Sequence, residues 1–286
     1  MSLYLKTLRP WQWTKNLILF IPYFLFNKSI GDDFIILFVV FLNFSLFVSS
    51  TYIFNDIKDR HIDKHHKIKS LRPIASEKIS LKNAKIYGTS LFILNLILSY
   101  MINPNLIILF LIYASLTFIY SNYGKFIFIL DTFLISLMFL LRIFVGGWSL
   151  EISITSDLTL FIFFTSCLLS ISKKISIINT IEIEMSNNYY QLLLDQNKKI
   201  KFQKLYLFFS FCAIFSFLFW LSSEYENTQD LIFLFSSFIF YTIFISNVLK
   251  LSEKGLLEDF SKELYKNKTL MLLATLIAFS FFIGYF

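Results

Sequence analysis

Long apolar runs alternate with short charged segments along the whole chain, and this alternation limits the folds that the chain can adopt. Several runs approach the roughly 20 residues that an α-helix needs to cross a bilayer. The hydrophobic share of the 286 residues, 56%, also exceeds what a soluble domain of this length usually has. The sequence therefore predicts an all-α, polytopic membrane helical bundle that forms a single domain over residues 1–286.

We place nine transmembrane helices on the apolar runs. The first run is interrupted by Pro22, and the fourth is short. Asn103-Pro104 carries the turn residues of a hairpin between two of the segments. The predicted segments lie at about 13–30, 34–54, 84–102, 105–120, 127–149, 158–172, 205–222, 231–249 and 269–285.

The distribution of basic residues predicts the orientation of the bundle. With nine segments, every lysine and arginine except Lys28 and Arg142 falls in the N-terminal arm or in loops on one side of the membrane. The loops on the opposite side carry mainly acidic residues. Because lysine and arginine accumulate in cytoplasmic loops, we predict a cytoplasmic N-terminus.

Other features of the sequence argue against several classes of protein. Residues 1–12 contain no apolar stretch followed by small residues, so we expect no cleavable signal peptide. Cys167 and Cys212 both lie inside apolar runs, which argues against a disulfide framework. Nucleic-acid binding would need a basic patch on a soluble module, and no such module is separable here. We therefore predict no nucleic-acid partner.

The densest group of carboxylates follows the second apolar run. If the helix of that run continues at about 100° per residue, Asn55, Asp56, Asp59 and Asp63 fall on one narrow face. Such carboxylates repel one another unless a cation lies among them, and oxygen ligands suit Mg²⁺. A solvated, mixed-charge helix end produces the same pattern. The spacing alone does not choose between these two interpretations.

A second candidate group surrounds Arg142, which lies about midway along the fifth segment. Ionisable residues inside a membrane are costly and usually mark a function. Asp131 lies three turns earlier on the same helix face, and Tyr120 and Lys125 lie beside it at the mouth of the preceding loop. The pair Gly146-Gly147 would allow close helix approach. The structural alternative is an interhelical ion pair that stabilises the bundle.

Further basic side chains lie at the same predicted cytoplasmic level. Lys173 and Lys174 end the sixth segment, where snorkelling to the interface is the ordinary explanation. Lys15 follows two tryptophans in the N-terminal arm and could reach a phosphate. Carboxylates able to hold Mg²⁺ beside several cations fit a substrate that carries phosphates.

The carboxylate group resembles a known motif. Asn55-Asp56-x-x-Asp59-x-x-x-Asp63 after a second helix resembles the UbiA superfamily of intramembrane prenyltransferases. Within that superfamily, the chain is more similar to the decaprenyl-phosphate phosphoribosyltransferases. The stretches that carry the likeness are Arg9-Pro10-x-Gln12-Trp13-x-Lys15-Asn16, Arg72-Pro73-Ile74-Ala75-Ser76, Tyr120-Ser121 with Lys125 and Asp131, Arg142 with Gly146-Gly147, and Lys173-Lys174.

The resemblance implies Mg²⁺-dependent transfer of 5-phosphoribose from phosphoribosyl diphosphate to a polyprenyl (decaprenyl-type) phosphate, for cell-envelope polysaccharide precursors. It implies an active site that faces the cytoplasm from the bacterial inner (plasma) membrane, among membrane lipids. The implied catalytic residues are Asp56, Asp59, Asp63 and Asp131, and the implied metal ligands are Asn55, Asp56, Asp59 and Asp63. The implied substrate-binding residues are Lys15, Asn55, Arg72, Tyr120, Lys125, Arg142, Lys173 and Lys174.

One position departs from the family pattern, and two other functions stay open. Ile177 stands where the family usually has a glutamate, for which Glu182 and Glu184 are the nearby alternatives. One alternative function is a UbiA-type prenyltransferase that moves an isoprenoid from its diphosphate to an aromatic acceptor. Another is a transporter or lipid flippase with Asp131 and Arg142 as a gating pair, although no inverted repeat of broken helices is evident. The isoprenoid length, and whether the chain forms a homo-oligomer, also stay open.

Overall fold

A computed structural model describes residues 3–26, 31–65, 69–124, 127, 129–180, 196–224 and 231–285. All regular secondary structure in these ranges is helical, which confirms the predicted all-α class. The α-helices are α1 (Leu3–Leu8), α2 (Ile21–Phe26), α3 (Asp32–Asp63), α4 (Leu81–Ile102), α5 (Leu106–Asn122), α6 (Leu130–Ser149), α7 (Ser156–Thr180), α8 (Gln196–Glu224), α9 (Leu231–Glu253), α10 (Phe260–Lys266) and α11 (Lys268–Tyr285).

Six of the described helices contain stretches long and apolar enough to cross a membrane. These stretches are Asp33–Asp63, Leu81–Ile102, Leu130–Ser149, Ser156–Thr180, Lys199–Ser223 and Phe235–Glu253. Two shorter apolar helices, Leu106–Asn122 and Lys268–Phe281, fall below this length. The count of nine crossings and the cytoplasmic N-terminus stay predictions.

The chain divides into two compact units. Unit 1 comprises Met1–Gly124 and Leu141–Ser153, and unit 2 comprises Lys125–Leu140 and Ile154–Phe286. Helix α6 therefore contributes its C-terminal part to unit 1 and its N-terminal part to unit 2. The prediction of one domain over the whole chain stays a prediction.

Helix α3 of unit 1 is longer than a membrane requires. Its 32 residues span about 48 Å, whereas a bilayer core is about 30 Å thick. Its apolar run ends at Phe54, and the helix continues past that run from Asn55 to Asp63. The expectation that the helix continues through the carboxylate group is confirmed.

The first predicted segment is not one regular helix. A 3-10 helix, Pro10–Phe20, precedes the short helix α2. Arg9 turns the chain between α1 and the 3-10 helix by adopting a left-handed conformation (φ 52°), which is uncommon for a residue other than glycine. Pro22 is tolerated because it lies in the first turn of α2, where its missing N–H is not needed.

Gly146 allows α6 to approach the N-terminal arm closely within unit 1. A Cβ added at Gly146 would lie 2.0 Å from the carbonyl oxygen of Leu19. No side chain fits in that space, so close approach at this glycine, expected from the sequence, is confirmed.

Local side-chain bonds define the ends of α4. Ser80 caps its N-terminus by accepting a hydrogen bond from the backbone N–H of Asn83, 3.2 Å away. Past its C-terminus, the side chain of Asn103 accepts a hydrogen bond from the N–H of Asn105 at 3.0 Å, which forms an Asx turn into α5. The predicted hairpin at Asn103-Pro104 is therefore confirmed.

Unit 2 is held together mainly by contacts between α7 and α8 and between α9 and α11. Aromatic rings fill its interior: Phe161 stacks on Trp220 with centroids 5.4 Å apart, and Trp220 stacks on Phe281 at 4.8 Å. Such offset pairs stabilise beyond the area they bury.

Candidate functional site

The carboxylate face at the end of α3 is present and partly buried. Asp56 and Asp63 are buried, whereas Asn55 and Asp59 are half-buried. Asp56, Asp59 and Asp63 are spaced three and four residues apart, which places them on one side of the helix. The alternative interpretation from the sequence, a solvated helix end with mixed charges, does not apply to Asp56 and Asp63, because both side chains are shielded from solvent.

Arg72 bridges the two buried carboxylates. Its Nη1 atom donates to Oδ2 of Asp63 at 2.6 Å and to Oδ1 of Asp56 at 3.0 Å. Its backbone carbonyl accepts a hydrogen bond from Ser76 Oγ at 2.8 Å, and the next residues after Pro73, Ile74 and Ala75, are buried. The loop that carries Arg72 is thus fixed, and one guanidinium is placed between two acids.

Arg9 is a second cation at this face, and it is absent from the residues predicted for the site. It forms an ion pair with Asp56, and its guanidinium lies 5.3 Å from the centre of the Tyr52 ring. The N-terminal arm is tied to α3 beside it, because Ser49 Oγ donates to the Leu8 carbonyl at 2.7 Å. The Arg9-Pro10 dipeptide was part of the resemblance, but sequence reasoning assigned the phosphate-binding role of this arm to Lys15.

Lys15, the residue of this arm that was predicted to bind phosphate, contacts a neighbour within the arm. Its amino group donates to the side chain of Gln12, and it is half-buried. The adjacent Asn16 is buried and belongs to another group of contacts, around Arg142. Tyr120, also predicted for the site, is half-buried near the end of α5.

Arg142 lies in the interior of unit 1, as its position in an apolar helix predicted. Its Nε donates to Oδ1 of Asn16 at 2.8 Å, and its Nη2 donates to the hydroxyl of Tyr113 at 3.0 Å. Asn16 in turn donates to Ser45 Oγ at 2.9 Å. Neither Asn16 nor Tyr113 was predicted as its partner. Both are neutral acceptors, and these two bonds orient the guanidinium.

Asp131 and Lys174 form a buried ion pair in unit 2. The amino group of Lys174 contacts Asp131, donates to Thr132 Oγ1 at 2.7 Å and lies 5.3 Å from the centre of the Phe202 ring. Asp131 also accepts a hydrogen bond from the N–H of Thr132 at 2.8 Å. An interhelical ion pair, the structural alternative for Asp131, is therefore present with Lys174 as its cation.

The other predicted residues differ in their surroundings. Lys173 is exposed, unlike its neighbour Lys174, and Ile177 is buried in α7. Lys125, Glu182 and Glu184 lie outside the described residues. The predicted assembly of all these residues into one site stays a prediction.

The donor set at the end of α3 has the chemistry of a magnesium site. Asn55, Asp56, Asp59 and Asp63 offer only oxygen ligands, which Mg²⁺ prefers. Among the described residues, no group of three histidine, cysteine, aspartate or glutamate side chains is close enough to hold one metal ion. Two oxygens nevertheless converge on a single cationic nitrogen, that of Arg72. A cation at that position is within reach of both carboxylates, so Asp56 and Asp63 could supply two of the oxygen ligands of a divalent ion.

Fold and site together describe an integral membrane protein, all-α in its described part, with paired carboxylates at the end of a long helix. The UbiA prenyltransferase family matches residues 16–222, which is well over half of the chain. The chain therefore belongs to this family, and the resemblance inferred from its motifs is confirmed.

Two relatives that are similar in sequence agree with this membership. The decaprenyl-phosphate phosphoribosyltransferase of Mycolicibacterium smegmatis is 29% identical over 175 residues, 59% of this chain and 55% of the relative. The protoheme IX farnesyltransferase of Francisella tularensis subsp. novicida is 36% identical over 104 residues, 35% of this chain and 37% of the relative. The chain thus matches little more than half of the length of these relatives, or less.

The fold is shared with a UbiA homolog from Archaeoglobus fulgidus that was solved bound to DMAPP and Mg²⁺. The superposition has a TM-score of 0.73 and covers 99% of both chains, at 17% sequence identity. At that identity, the likeness establishes the fold alone.

Proposed function

We propose that this chain transfers the 5-phosphoribosyl group of phosphoribosyl diphosphate to a polyprenyl phosphate and releases diphosphate. The observation that carries the proposal is the end of α3, where Asp56 and Asp63 share the guanidinium of Arg72. A diphosphate leaving group needs a divalent metal held by carboxylates and cations for its remaining oxygens. The mycobacterial phosphoribosyltransferases among the relatives favour this donor.

In the proposed reaction, an oxygen of the polyprenyl phosphate forms a bond to the anomeric carbon of ribose. The bond from that carbon to the diphosphate breaks, and its electron pair leaves with the diphosphate. The lipid phosphate is already anionic, so the reaction needs no general base and depends on alignment and on stabilisation of the leaving group. Mg²⁺, when bound, would neutralise charge on the diphosphate.

In the proposed site, some side chains would hold the metal and others would bind phosphate oxygens. Asn55, Asp56, Asp59 and Asp63 would hold Mg²⁺, and Arg72 would bind oxygens of the diphosphate. Arg142 is oriented by Asn16 and Tyr113, and its planar fork of donors suits a phosphate. Within unit 1, Lys15 would neutralise phosphates and Tyr120 would position the sugar, whereas Asp131 and Lys174 of unit 2 pair with each other.

We place the proposed site on the cytoplasmic side of the bacterial inner membrane. The donor is a soluble, highly charged molecule that cannot enter a bilayer, whereas the acceptor is a lipid. The end of α3 extends beyond its apolar run, which would let it meet the donor in water. The product would serve cell-envelope polysaccharide synthesis.

A second candidate is transfer of an isoprenoid from its diphosphate to an aromatic acceptor. The same carboxylates would hold the metal, and the similarity to a protoheme IX farnesyltransferase supports this reaction class. The basic groups favour phosphoribosyl transfer, because buried Arg142 adds a cation that one diphosphate does not require. A transporter or flippase has lost its main support, since Asp131 is paired with Lys174.

The test is to incubate membranes that contain the chain with phosphoribosyl diphosphate labelled in the ribose, together with polyprenyl phosphate. We expect label to enter the lipid phase with Mg²⁺ and to stay in water when EDTA is added. Membranes without the chain provide the background. Absence of lipid label, together with transfer from an isoprenyl diphosphate to an aromatic acceptor, would reject the proposal in favour of the second candidate.

A further inference from the structure

The guanidinium of Arg72 lies between two of the carboxylates that would hold a metal ion. A single nitrogen, Nη1, contacts oxygens of both Asp56 and Asp63. Arg9 provides a further contact to the same oxygen of Asp56. The two buried carboxylates would otherwise repel each other, so these arginines neutralise them when no metal is bound.

Arg72 also lies on the side from which an ion would arrive. Its side chain is 27% exposed, whereas the side chains of Asp56 and Asp63 are each 4% exposed. An ion coming from water would therefore meet the guanidinium before the carboxylates. The backbone of the loop is anchored by buried Ile74, Ala75 and Ile79. The long side chain of Arg72 can leave the carboxylates by rotation about its own bonds, without movement of α3.

We propose that Arg72 is a tethered cation that exchanges with the metal. In the absence of substrate it bridges Asp56 and Asp63, and it leaves them when a divalent ion arrives together with a diphosphate. The released guanidinium then binds phosphate oxygens, for which its fork of donors is suited. This inference rests on the metal site of the proposed function and adds an order of events to it.

The exchange makes binding of metal and diphosphate cooperative. A bare divalent ion must displace a cation that is covalently held nearby, so it binds weakly. When the ion carries a diphosphate, the displaced guanidinium finds a new anionic partner, and the cost of displacement is offset. By linkage, the metal must also strengthen the binding of the diphosphate by the same factor.

The test is the affinity of the purified chain for Mn²⁺, measured from the paramagnetic resonance signal of the free ion with and without inorganic pyrophosphate. Solutions without protein give the amount of Mn²⁺ that pyrophosphate binds by itself, which is subtracted. For Arg72→Gln, we expect Mn²⁺ alone to bind at least about tenfold more tightly than to the unsubstituted chain, because a competing charge is removed. We also expect pyrophosphate to tighten Mn²⁺ binding far less in the variant.

Lys64→Gln is the matched control. It removes one positive charge from the same end of α3, but Lys64 pairs with the exposed Glu77 instead of the buried acids. We expect its Mn²⁺ affinity to stay within about twofold, since exposed charges are screened. An Arg72→Gln chain that binds Mn²⁺ no more tightly than the unsubstituted chain, or a Lys64→Gln chain that gains as much, would overturn the inference.

A second measurement uses the unsubstituted chain, so it does not depend on the stability of a variant. Phenylglyoxal modifies accessible guanidinium groups, and mass spectrometry then reports the rate at each arginine. Saturating Mn²⁺ alone should raise the rate at Arg72 several-fold, and pyrophosphate should lower it again. The rate at Arg60, which lies on α3 near the carboxylates and bonds to His61, should be unchanged. An unchanged rate at Arg72 would contradict exchange.

These readouts separate the inference from the proposed function. Neither of them measures sugar transfer. A chain that exchanges Arg72 for Mn²⁺ but transfers no phosphoribose would keep the inference and reject the function. If the chain transfers phosphoribose but Arg72→Gln leaves the Mn²⁺ affinity unchanged, the function is kept and the inference is rejected.

Discussion

Two groups of buried acids, one in each unit, are paired in opposite ways. In unit 1, Asp56 and Asp63 are paired with Arg72, a cation from a loop whose side chain is 27% exposed. In unit 2, Asp131 is paired with Lys174, which comes from the interior of α7 and is 5% exposed. Both arrangements neutralise buried carboxylates, but the first pairs them with a cation that water can reach.

The difference shows which buried carboxylates can exchange the cation that neutralises them. Arg9 and Arg72 come from an arm and a loop, so either side chain can leave its acid while the helices stay in place. Lys174 lies between Asp131, Thr132 and Phe202, and its departure would leave a charge enclosed by helices. We therefore interpret the first group as a site that binds ligand and the second as a contact that stabilises unit 2. The following substitutions test this comparison.

The largest effect is expected from Lys174→Met. This change leaves Asp131 buried without its cation, and breaking a buried ion pair in this way costs about 3–5 kcal/mol. We expect a correspondingly lower free energy of unfolding for the purified protein in detergent. Lys173→Met removes the same group from the next, exposed position and should change stability by less than about 0.5 kcal/mol. Equal losses from the two substitutions would show that Lys174 is not a structural partner.

The next effect is expected from Asp59→Asn at the carboxylate face. Loss of one carboxylate that we propose to hold the metal should lower turnover at least about 100-fold. The protein should stay folded, because Asp59 is only half-buried. Phosphoribosyl transfer to the lipid, measured beside a melting curve, checks both expectations. Asp33→Asn makes the same chemical change at the other end of α3 and should keep full activity. Full activity of Asp59→Asn would reject the metal assignment.

A smaller gain in stability, instead of a loss, is expected from Asn43→Leu. This substitution extends the comparison to a buried polar group that has no hydrogen-bond partner among the described residues. Among the described residues, neither Nδ2 nor Oδ1 of Asn43 has a hydrogen-bond partner. The residue lines an open groove of about 270 Å³ between α3 and α4, so leucine has room. We expect stabilisation by about 1 kcal/mol, since an unsatisfied buried amide is costly.

Asn16→Leu is the counterpart of this substitution. The amide of Asn16 bonds to both Arg142 and Ser45, so the same change should destabilise unit 1. Thermal unfolding of the two variants checks the pair of predictions. If both substitutions shift stability in the same direction, the distinction between paired and unpaired buried amides fails.

Features that depend on local sequence periodicity were predicted well. The face formed by Asp56, Asp59 and Asp63 follows from the helical repeat, and α3 continues through it as expected. The burial of Arg142 followed from its position inside an apolar run. The hairpin at Asn103-Pro104 followed from turn chemistry that acts over a few residues.

Features that depend on distant contacts could not be predicted in the same way. Asn16 and Arg142 are 126 positions apart, and nothing in either local pattern indicates their bond. Lys173 and Lys174 look alike in the sequence, and only the packing of α7 decides which of them is buried. The role of Arg9 could not be predicted because it depends on an uncommon, left-handed backbone conformation, which brings the side chain into an ion pair with Asp56.

The central claim is that phosphoribose moves to a lipid phosphate as diphosphate departs. The most direct measurement uses the purified chain and phosphoribosyl diphosphate that carries one label in its 5-phosphate and a different label in its diphosphate. With Mg²⁺ and polyprenyl phosphate, we predict that the 5-phosphate label enters the lipid in equal amount to the diphosphate label released into water. Release of diphosphate without lipid label, or no release while an isoprenyl diphosphate is consumed, would contradict the account.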